Sequence, residues 1–595
     1  MSAVTHSLTA DDAKFRDDKP EVEHREGDAT DSSPEPASFL DMEYDNDDQE
    51  PELHARTYVA LAALFVLNYV QVFALNGPPS VLSYIGTDLN ATAQQQWVPN
   101  ALSLVQAVGG PVIAFASDTF QARKIILIVS CLFSLVGAAI APGAKDIYRL
   151  IVSQILIGIG FAAAPLAFAI PSEILPRKWR PLAQSLANVA GSLGSLCAPL
   201  ITGALTKKSE HNGWRNFYWI QTAMWGATVI CLLVGYRPPK RHSFLDNLTM
   251  KQKISRLDLP GMFLLTCALT LLLAGLSLGG NPWPWGDYRV LVPLVLGIVF
   301  LVVFAVYEWK GTSTGILHHQ LFKRRTFAVC IVLIFIEGIL LFSVMIFYPQ
   351  LTTIFTTDPF ISSLRQMPYW VAASVCTVIY GFWSSKRRTV RSPVIVGFAL
   401  LTAGVAGLAT VQPLQSTNAI IFSGLAGIGF AGPLILLIAA VQLSVPHHLI
   451  ATATAVLTSS RAVAASVFTA IFGAAVSSEM PVKLPAYTAA AAIKAGLDPQ
   501  YVSQFVGDML GGDTSALQSI PGITLTIIEA GKAAVLQANA DSFRYVFIIA
   551  APFGAAACLI SWFIGDLSDV MNYHVDAPVE ELHAREKHEH HSTNA

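Results

Sequence analysis

Long apolar runs separated by short polar connections dominate this chain between Thr57 and Asp566. Fourteen of them are each about long enough to carry a helix across the ~30 Å hydrocarbon core of a bilayer. They predict helices over approximately 57–77, 97–117, 125–143, 146–171, 182–205, 216–236, 259–279, 288–308, 327–349, 368–385, 392–411, 418–445, 449–478 and 543–566. Lipid admits only helices and closed barrels, because nothing else satisfies every backbone polar group. So many helices with little soluble mass beside them mark a chain whose work lies inside the membrane. A transporter is the first reading.

Composition agrees. Of 595 residues 53% are hydrophobic and 13% charged, and mean hydropathy is +0.50, whereas soluble domains carry about 25% charge. The net charge of −3 conceals a split: residues 1–56 hold 17 acidic and 5 basic side chains, a net of −12. That arm, from Asp11 and Asp12 to Asp47 and Asp48, lacks apolar periodicity and reads as disordered. It has no basic start followed by an apolar core, so membrane entry is expected through the first helix and not a cleaved signal peptide. All seven cysteines fall inside apolar runs, where a thiol behaves as a small hydrophobe, and no metal-ligand or disulfide spacing is visible.

Orientation follows from Lys and Arg in the short connections. One set holds 19 basic residues, among them Arg123, Lys124, Arg177, Lys178, Arg180, Lys323, Arg324 and Lys386–Arg388, and the other set holds seven. Both termini are therefore expected in the cytoplasm. Asn90-Ala-Thr92 is then an outer glycosylation sequon and Asn247-Leu-Thr249 an inner, unused one. The longest connection, 479–542, is assigned to the outside; Ala489–Ala495 and Ile527–Ala538 have helical spacing around Gly511, Gly512, Pro521 and Gly522. Its length fits either a functional or a tolerated insertion.

The segment after the second helix reads Ala114-Phe-Ala-Ser-Asp118-Thr-Phe-Gln-Ala-Arg123-Lys124. An acid at a helix end followed by a basic pair can bridge neighbouring helix ends in one conformation and release them in another. Here the chain resembles the major facilitator superfamily, whose signature runs Gly, three residues, Asp, then a Gly-Arg-Arg-like cluster; Ala114, Gln121 and Ala122 depart from it and Arg123 keeps it. Gly191-Ser-Leu-Gly194-Ser-Leu-Cys-Ala198-Pro199-Leu-Ile-Thr202-Gly203 resembles the Gly-Pro motif of proton-exchanging exporters, with Gly194, Pro199 and Gly203 at matching positions. Arg149 opens the fourth helix about a turn before the position of the superfamily's proton-linked arginine, and equally suits a side chain reaching the interface. Gly213-Trp214-Arg215-Asn-Phe217-Tyr218 and Leu257-Asp258-Leu-Pro260-Gly261 resemble entries of the sixth and seventh helices in 14-helix drug exporters. With Ser172-Glu173-Ile-Leu-Pro176-Arg177-Lys178-Trp-Arg180-Pro181, they make the chain similar to the fungal trichothecene efflux pump family, close to siderophore-iron transporters.

Ionisable residues within spans are costly, at ~2.5–3.5 kcal/mol on insertion scales, so they face a partner or a cavity. Glu337 in the ninth helix and Arg461 in the thirteenth stand out as proton-coupling candidates together with Arg149; Arg461 suits pairing either with Glu337 or with an anionic group of a substrate, and a structural contact is the alternative for both. Asn68, Gln71, Gln106, Gln154, Asn188, Gln221 and Gln442 are substrate-path candidates, and each also suits interhelical glue. Tyr69, Phe73, Phe342 and Tyr348 offer apolar surface, and His588, His590 and His591 sit in a tail that reads as unordered.

The expected architecture is an all-α membrane protein of 14 transmembrane helices. A disordered acidic arm (1–56) precedes a six-helix bundle (57–236), a cytoplasmic loop with an inserted helix pair (237–325), a second six-helix bundle (326–566) and a tail (567–595). The resemblance implies proton-coupled export of amphipathic small molecules such as fungal toxins or drugs. Ferric-siderophore uptake with a proton is the alternative, and a non-transporting sensor would need a signalling module that the sequence does not show. No phosphate-binding loop, metal cluster or nucleophile elbow is visible, so neither an enzyme nor a cofactor is expected, and the proton gradient would supply the drive. The expected partners are a small-molecule substrate, protons and lipid, with no nucleic acid, for a monomer in the plasma membrane, or alternatively a vacuolar or vesicle membrane.

Overall fold

The computed structural model describes residues 50–579 and 583–584 apart from 92–93, 96, 121, 210–211, 239–257, 280–282, 313–314, 316–318, 353, 357–358, 512–516 and 518. The acidic arm up to residue 49, Asn247 and the tail histidines lie outside the described residues. The fourteen apolar runs become fourteen long helices. These are α1 (Ala55–Ser80), α2 (Trp97–Phe120), α3 (Arg123–Ile140), α4 (Ile147–Ile174), α5 (Arg180–Lys208), α6 (Gly213–Gly235), α7 (Leu259–Leu278), α8 (Tyr288–Val306), α9 (Arg325–Thr352), α10 (Pro359–Arg387), α11 (Arg391–Leu408), α12 (Ser416–Ser444), α13 (Ile450–Lys494) and α14 (Leu525–Ile560). Among the described residues thirteen are long and apolar enough to cross a membrane, and α10 is not one of them.

Helices α1 to α6 pack mainly on one another, as do α9 to α14. Helices α7 and α8 pair together, and α7 touches α2 and α13. Asp258 fixes that pair: its carboxylate caps α7 by accepting from the Gly261 amide at 3.0 Å, and the Tyr307 hydroxyl at the end of α8 donates to it at 2.7 Å. The two groups of six meet where α5 packs on α10 and α12, and where α2 and the end of α4 pack on α13. Helix α4 breaks at Ala163, because Pro165 has no amide hydrogen to continue the ladder.

Two departures from the sequence expectation matter. Most of 479–542 is helix: α13 runs on to Lys494 and α14 begins at Leu525, so both stretches with helical spacing extend neighbouring helices. Polar Glu479 and Lys483 with Pro481 and Pro485 mimic a helix end, yet Lys483 bonds Glu479 at 3.1 Å and the Asp541 carbonyl at 3.1 Å, stitching the two extensions together. Gly496, with φ of +97°, turns the chain out of α13. The remaining segment carries a short helix, Val502–Gly511, whose Phe505 packs with Leu497, Leu517 and Ile527.

The tail is the second departure. Its first part lies along the connection between α4 and α5: the amides of Arg177 and Lys178 donate to the His574 and Asn572 carbonyls at 3.0 and 2.8 Å, and the Ala577 amide donates to Glu173 at 2.9 Å. Further on, His583–Ala584 pairs antiparallel with Pro51–Glu52. Backbone pairing of this kind leaves no periodicity for a sequence to display.

Candidate functional site

Polar groups joining the two six-helix groups concentrate from the basic face, which carries Arg123, Arg177, Arg180 and Arg387, to about mid-depth. At the end of α2, Asp118 is buried. Its Oδ2 accepts from the Thr452 amide and hydroxyl at 2.8 and 2.7 Å, and its Oδ1 accepts from Arg123 Nη2 at 2.9 Å. Arg123 also donates to Glu173 Oε1 at 2.5 Å. Thr452 lies in the first turn of α13, where backbone amides have no intrahelical acceptor and the helix dipole favours negative charge. The carboxylate of one half thus caps a helix of the other.

A second clasp lies beside it. Arg180, the first residue of α5, donates to the Ser172 carbonyl at 2.9 Å, to the Gln442 carbonyl at 2.6 Å and to the Asp576 carboxylate. Gln442 Oε1 accepts from Ser172 at 2.7 Å and Gln184 at 3.1 Å, while its Nε2 donates to Thr454 at 3.1 Å. Arg177 donates to Asp576 at 2.6 Å. Burial alone would push the Asp576 carboxyl up, but the Arg177 hydrogen bond and the Arg180 and Arg177 charges outweigh it and hold it below the usual range. Nearer mid-depth, Asn188 donates to the Thr377 hydroxyl at 2.8 Å and the Ser459 hydroxyl to the Ala107 carbonyl at 3.2 Å.

Inside the second group, Glu337 on α9 is fully buried, and its Oε2 accepts from Arg461 Nε on α13 at 2.7 Å. Of the two partners the sequence left open for Arg461, this structure places Glu337 against it. A Cβ added at Gly338 would lie 3.0 Å from the Arg461 carbonyl, so the missing side chain brings the two helices together at this point. Glu337 Oε1, Arg461 Nη2 and Tyr369 Oη on α10 are buried without hydrogen-bond partners among the described residues. A buried ion pair offsets its desolvation only when its remaining atoms are also satisfied, and among the described residues nothing satisfies Glu337 Oε1 or Arg461 Nη2.

The other candidates divide. Lys124 leaves the Asp118 cluster and donates to the Leu233 carbonyl at 2.8 Å. Arg149 is exposed, with its guanidinium beside Gly143. Gln442 belongs to the clasp at the basic face. Asn68 bonds the Leu64 carbonyl within its own helix, Gln71 ties α1 to the Gly160 carbonyl at 3.0 Å, and Gln154 bonds the Tyr218 hydroxyl across α4 and α6. The side-chain amide atoms of Gln221 are buried without partners among the described residues. Gln106 borders a small void with Pro165, Thr458 and Ser459 between the two groups.

Gly194 brings α5 onto α1, since a Cβ there would sit 2.7 Å from the Tyr69 carbonyl; Gly203 has open space beside it, and Pro199 interrupts the α5 ladder between them. Phe73 is core packing, with its ring centroid 4.9 Å from Phe217. Asn90 is exposed with φ of +50°, a conformation asparagine tolerates. Sequence reasoning missed Thr452, Gln184, Tyr369 and Asp576; Glu173 and Arg180 stood inside a quoted motif without assigned roles.

The sequence profile of the fungal trichothecene efflux pump family (TRI12) matches residues 45–593. The chain belongs to this family. It is an efflux transporter and a multi-pass membrane protein. Among relatives of the family member, the MFS-type efflux pump LUC4 of Fusarium sp is 25% identical over 536 residues, covering 87% of this chain and 89% of that one. The trichothecene efflux pump TRI12 of Fusarium sporotrichioides is 24% identical over 533 residues and 87% of both. The MFS-type transporter ucsD of Acremonium sp is 27% identical over 383 residues, 64% of each chain. Of solved structures, the major facilitator superfamily proton:xylose symporter XylE aligns with a TM-score of 0.54 at 11% identity, over 87% of this chain and 98% of that one. A bacterial homologue of the lysosomal transporter Spinster aligns at 0.51 and 16% identity, over 86% and 98%. These likenesses show the fold.

Proposed function

We propose that this efflux transporter exports an amphipathic small molecule, of the trichothecene or a related fungal-toxin class, in exchange for protons across the plasma membrane. The observation that carries the exchange is the buried Glu337–Arg461 pair with its unsatisfied atoms. Protonating Glu337 from outside weakens its hold on Arg461 and accompanies substrate release. Loss of that proton to the cytoplasm restores the pair and readies the inward-open state for substrate. In this reading the basic face and both termini are cytoplasmic, and the packing described here is the cytoplasm-closed state, held by Asp118–Thr452 and Arg180–Gln442. The chain works as a monomer without a cofactor, and Asn90 is available for glycosylation on the outside. The division into two bundles flanking an inserted pair supplies the rocking units.

Steady-state accumulation in a pump-deficient fungal host tests the reading, with labelled trichothecene and labelled ferric siderophore run in parallel, with and without a protonophore. Lower toxin accumulation, reversed by the protonophore and by Glu337→Gln, is the expected result. Protonophore-sensitive gain of siderophore would replace export with uptake.

A further inference from the structure

A cavity opens beside the clasps at the basic face. Its volume is about 630 Å³, inside the ~300–1,000 Å³ range of small-ligand sites. Four parts of the chain wall it: Arg177 and Arg180 flank the start of α5, Lys323 and Arg324 precede α9, His447 lies between α12 and α13, and Asp576 belongs to the tail. Four permanent cations therefore face one carboxylate, and that carboxylate is already shared between Arg177 and Arg180. Lys323 and Arg324 are exposed and have no acidic partner among the described residues.

We propose that this cavity binds a multiply charged phosphate anion, either a soluble polyphosphate or the phosphorylated headgroup of a lipid in the adjoining leaflet. Arg177 and Arg324 offer planar donor forks and Lys323 a mobile point charge, the combination that suits phosphate oxygens. A single carboxylate would leave most of this charge uncompensated, whereas several phosphates spread around the wall would not. Asp576 acts as a built-in competitor: an incoming phosphate on Arg177 takes over one of its two arginine partners. The inference goes beyond the transport reading, with which it shares only the Arg180 clasp.

The test is calorimetric titration of the purified full chain in nanodiscs. Inositol hexakisphosphate serves as the soluble probe. Nanodiscs containing phosphatidylinositol 4,5-bisphosphate, matched in total charge with phosphatidylserine nanodiscs, serve as the lipid arm. Saturable binding of one probe per chain is expected. Lys323→Gln with Arg324→Gln, both exposed, weakens it by about tenfold, the effect of removing two charges at close range in a wet site. Lys386→Gln with Arg387→Gln, exposed on the same face outside the cavity, leaves it unchanged. Asp576→Asn tightens it. Binding of the free probe assigns a soluble ligand, and binding only in the phosphoinositide discs assigns the headgroup. No binding in either arm, equal weakening by the two basic pairs, or no tightening in Asp576→Asn would overturn the site.

Discussion

Asp118→Asn isolates the electrostatic part of the contact between the two halves, since the side chain keeps its shape and loses its charge. The carboxylate accepts two hydrogen bonds from Thr452 across the interface, at 2.8 and 2.7 Å. Hydrogen bonds to charged groups contribute about 1.5–3 kcal/mol net and neutral ones about 0.5–1.5. Neutralising the acceptor therefore removes about 1 kcal/mol from each, or about 2 kcal/mol of preference for the packing described here. Because 1.4 kcal/mol is a factor of ten, the closed-to-open ratio at the basic face falls by about thirtyfold. Arg123 keeps Glu173 as a partner, so the fold of the first half survives. Nitroxide labels at the exposed positions Arg237 and Arg387, one on each half, report the change by double electron–electron resonance. The variant should gain a longer-distance population that the parent lacks, and Thr452→Val should move it the same way. An unchanged distance distribution in a folded Asp118→Asn protein would refute the capping argument.

Three further predictions follow from the interior and the tail. Arg461→Ala leaves the Glu337 carboxylate buried and alone, which costs about 3–5 kcal/mol; its melting temperature should drop sharply, while Glu337→Gln with Arg461→Gln should recover stability and still lack protonophore-sensitive export. Gly194→Ala forces a Cβ to 2.7 Å from the Tyr69 carbonyl and should destabilise by about 1–3 kcal/mol, whereas Gly203→Ala meets open space and should be neutral or stabilising by up to ~1 kcal/mol; thermal unfolding in detergent separates the two. Because the Asp576 carboxyl is held below its usual range, its ion pairs stabilise the tail above about pH 4 and are lost as pH falls through the lowered value. Hydrogen exchange of residues 572–577 should then stay slow from pH 7 to pH 5, and fast exchange at pH 5 would show that the carboxylate does not hold the strap.

Helix number, the Asp118–Arg123 motif and the exceptional status of Glu337 and Arg461 were legible in the chain, because lipid makes length and charge diagnostic. A Glu and an Arg in separate spans each need a partner, which the sequence shows, but that Arg461 meets Glu337 came from the structure. Gln442 and Lys124 were legible as polar or basic but not by task. Which neighbour a side chain meets depends on helix rotation and depth, and Gln442 turned out to clasp the two halves near the basic face.

Apolar length and the placing of charge are enough to make the chain a bundle of membrane helices and to single out the residues too polar to lie idle within it. Tertiary structure alone decided that α13 and α14 run far past their apolar runs, that Asp118 caps Thr452, and that Asp576 grips Arg177 and Arg180 across 399 and 396 residues of chain. The difference is one of range. Burial and helix formation act over a turn or two and write their periods into the sequence, whereas a cap or an ion pair between distant segments needs only one suitable residue at each end.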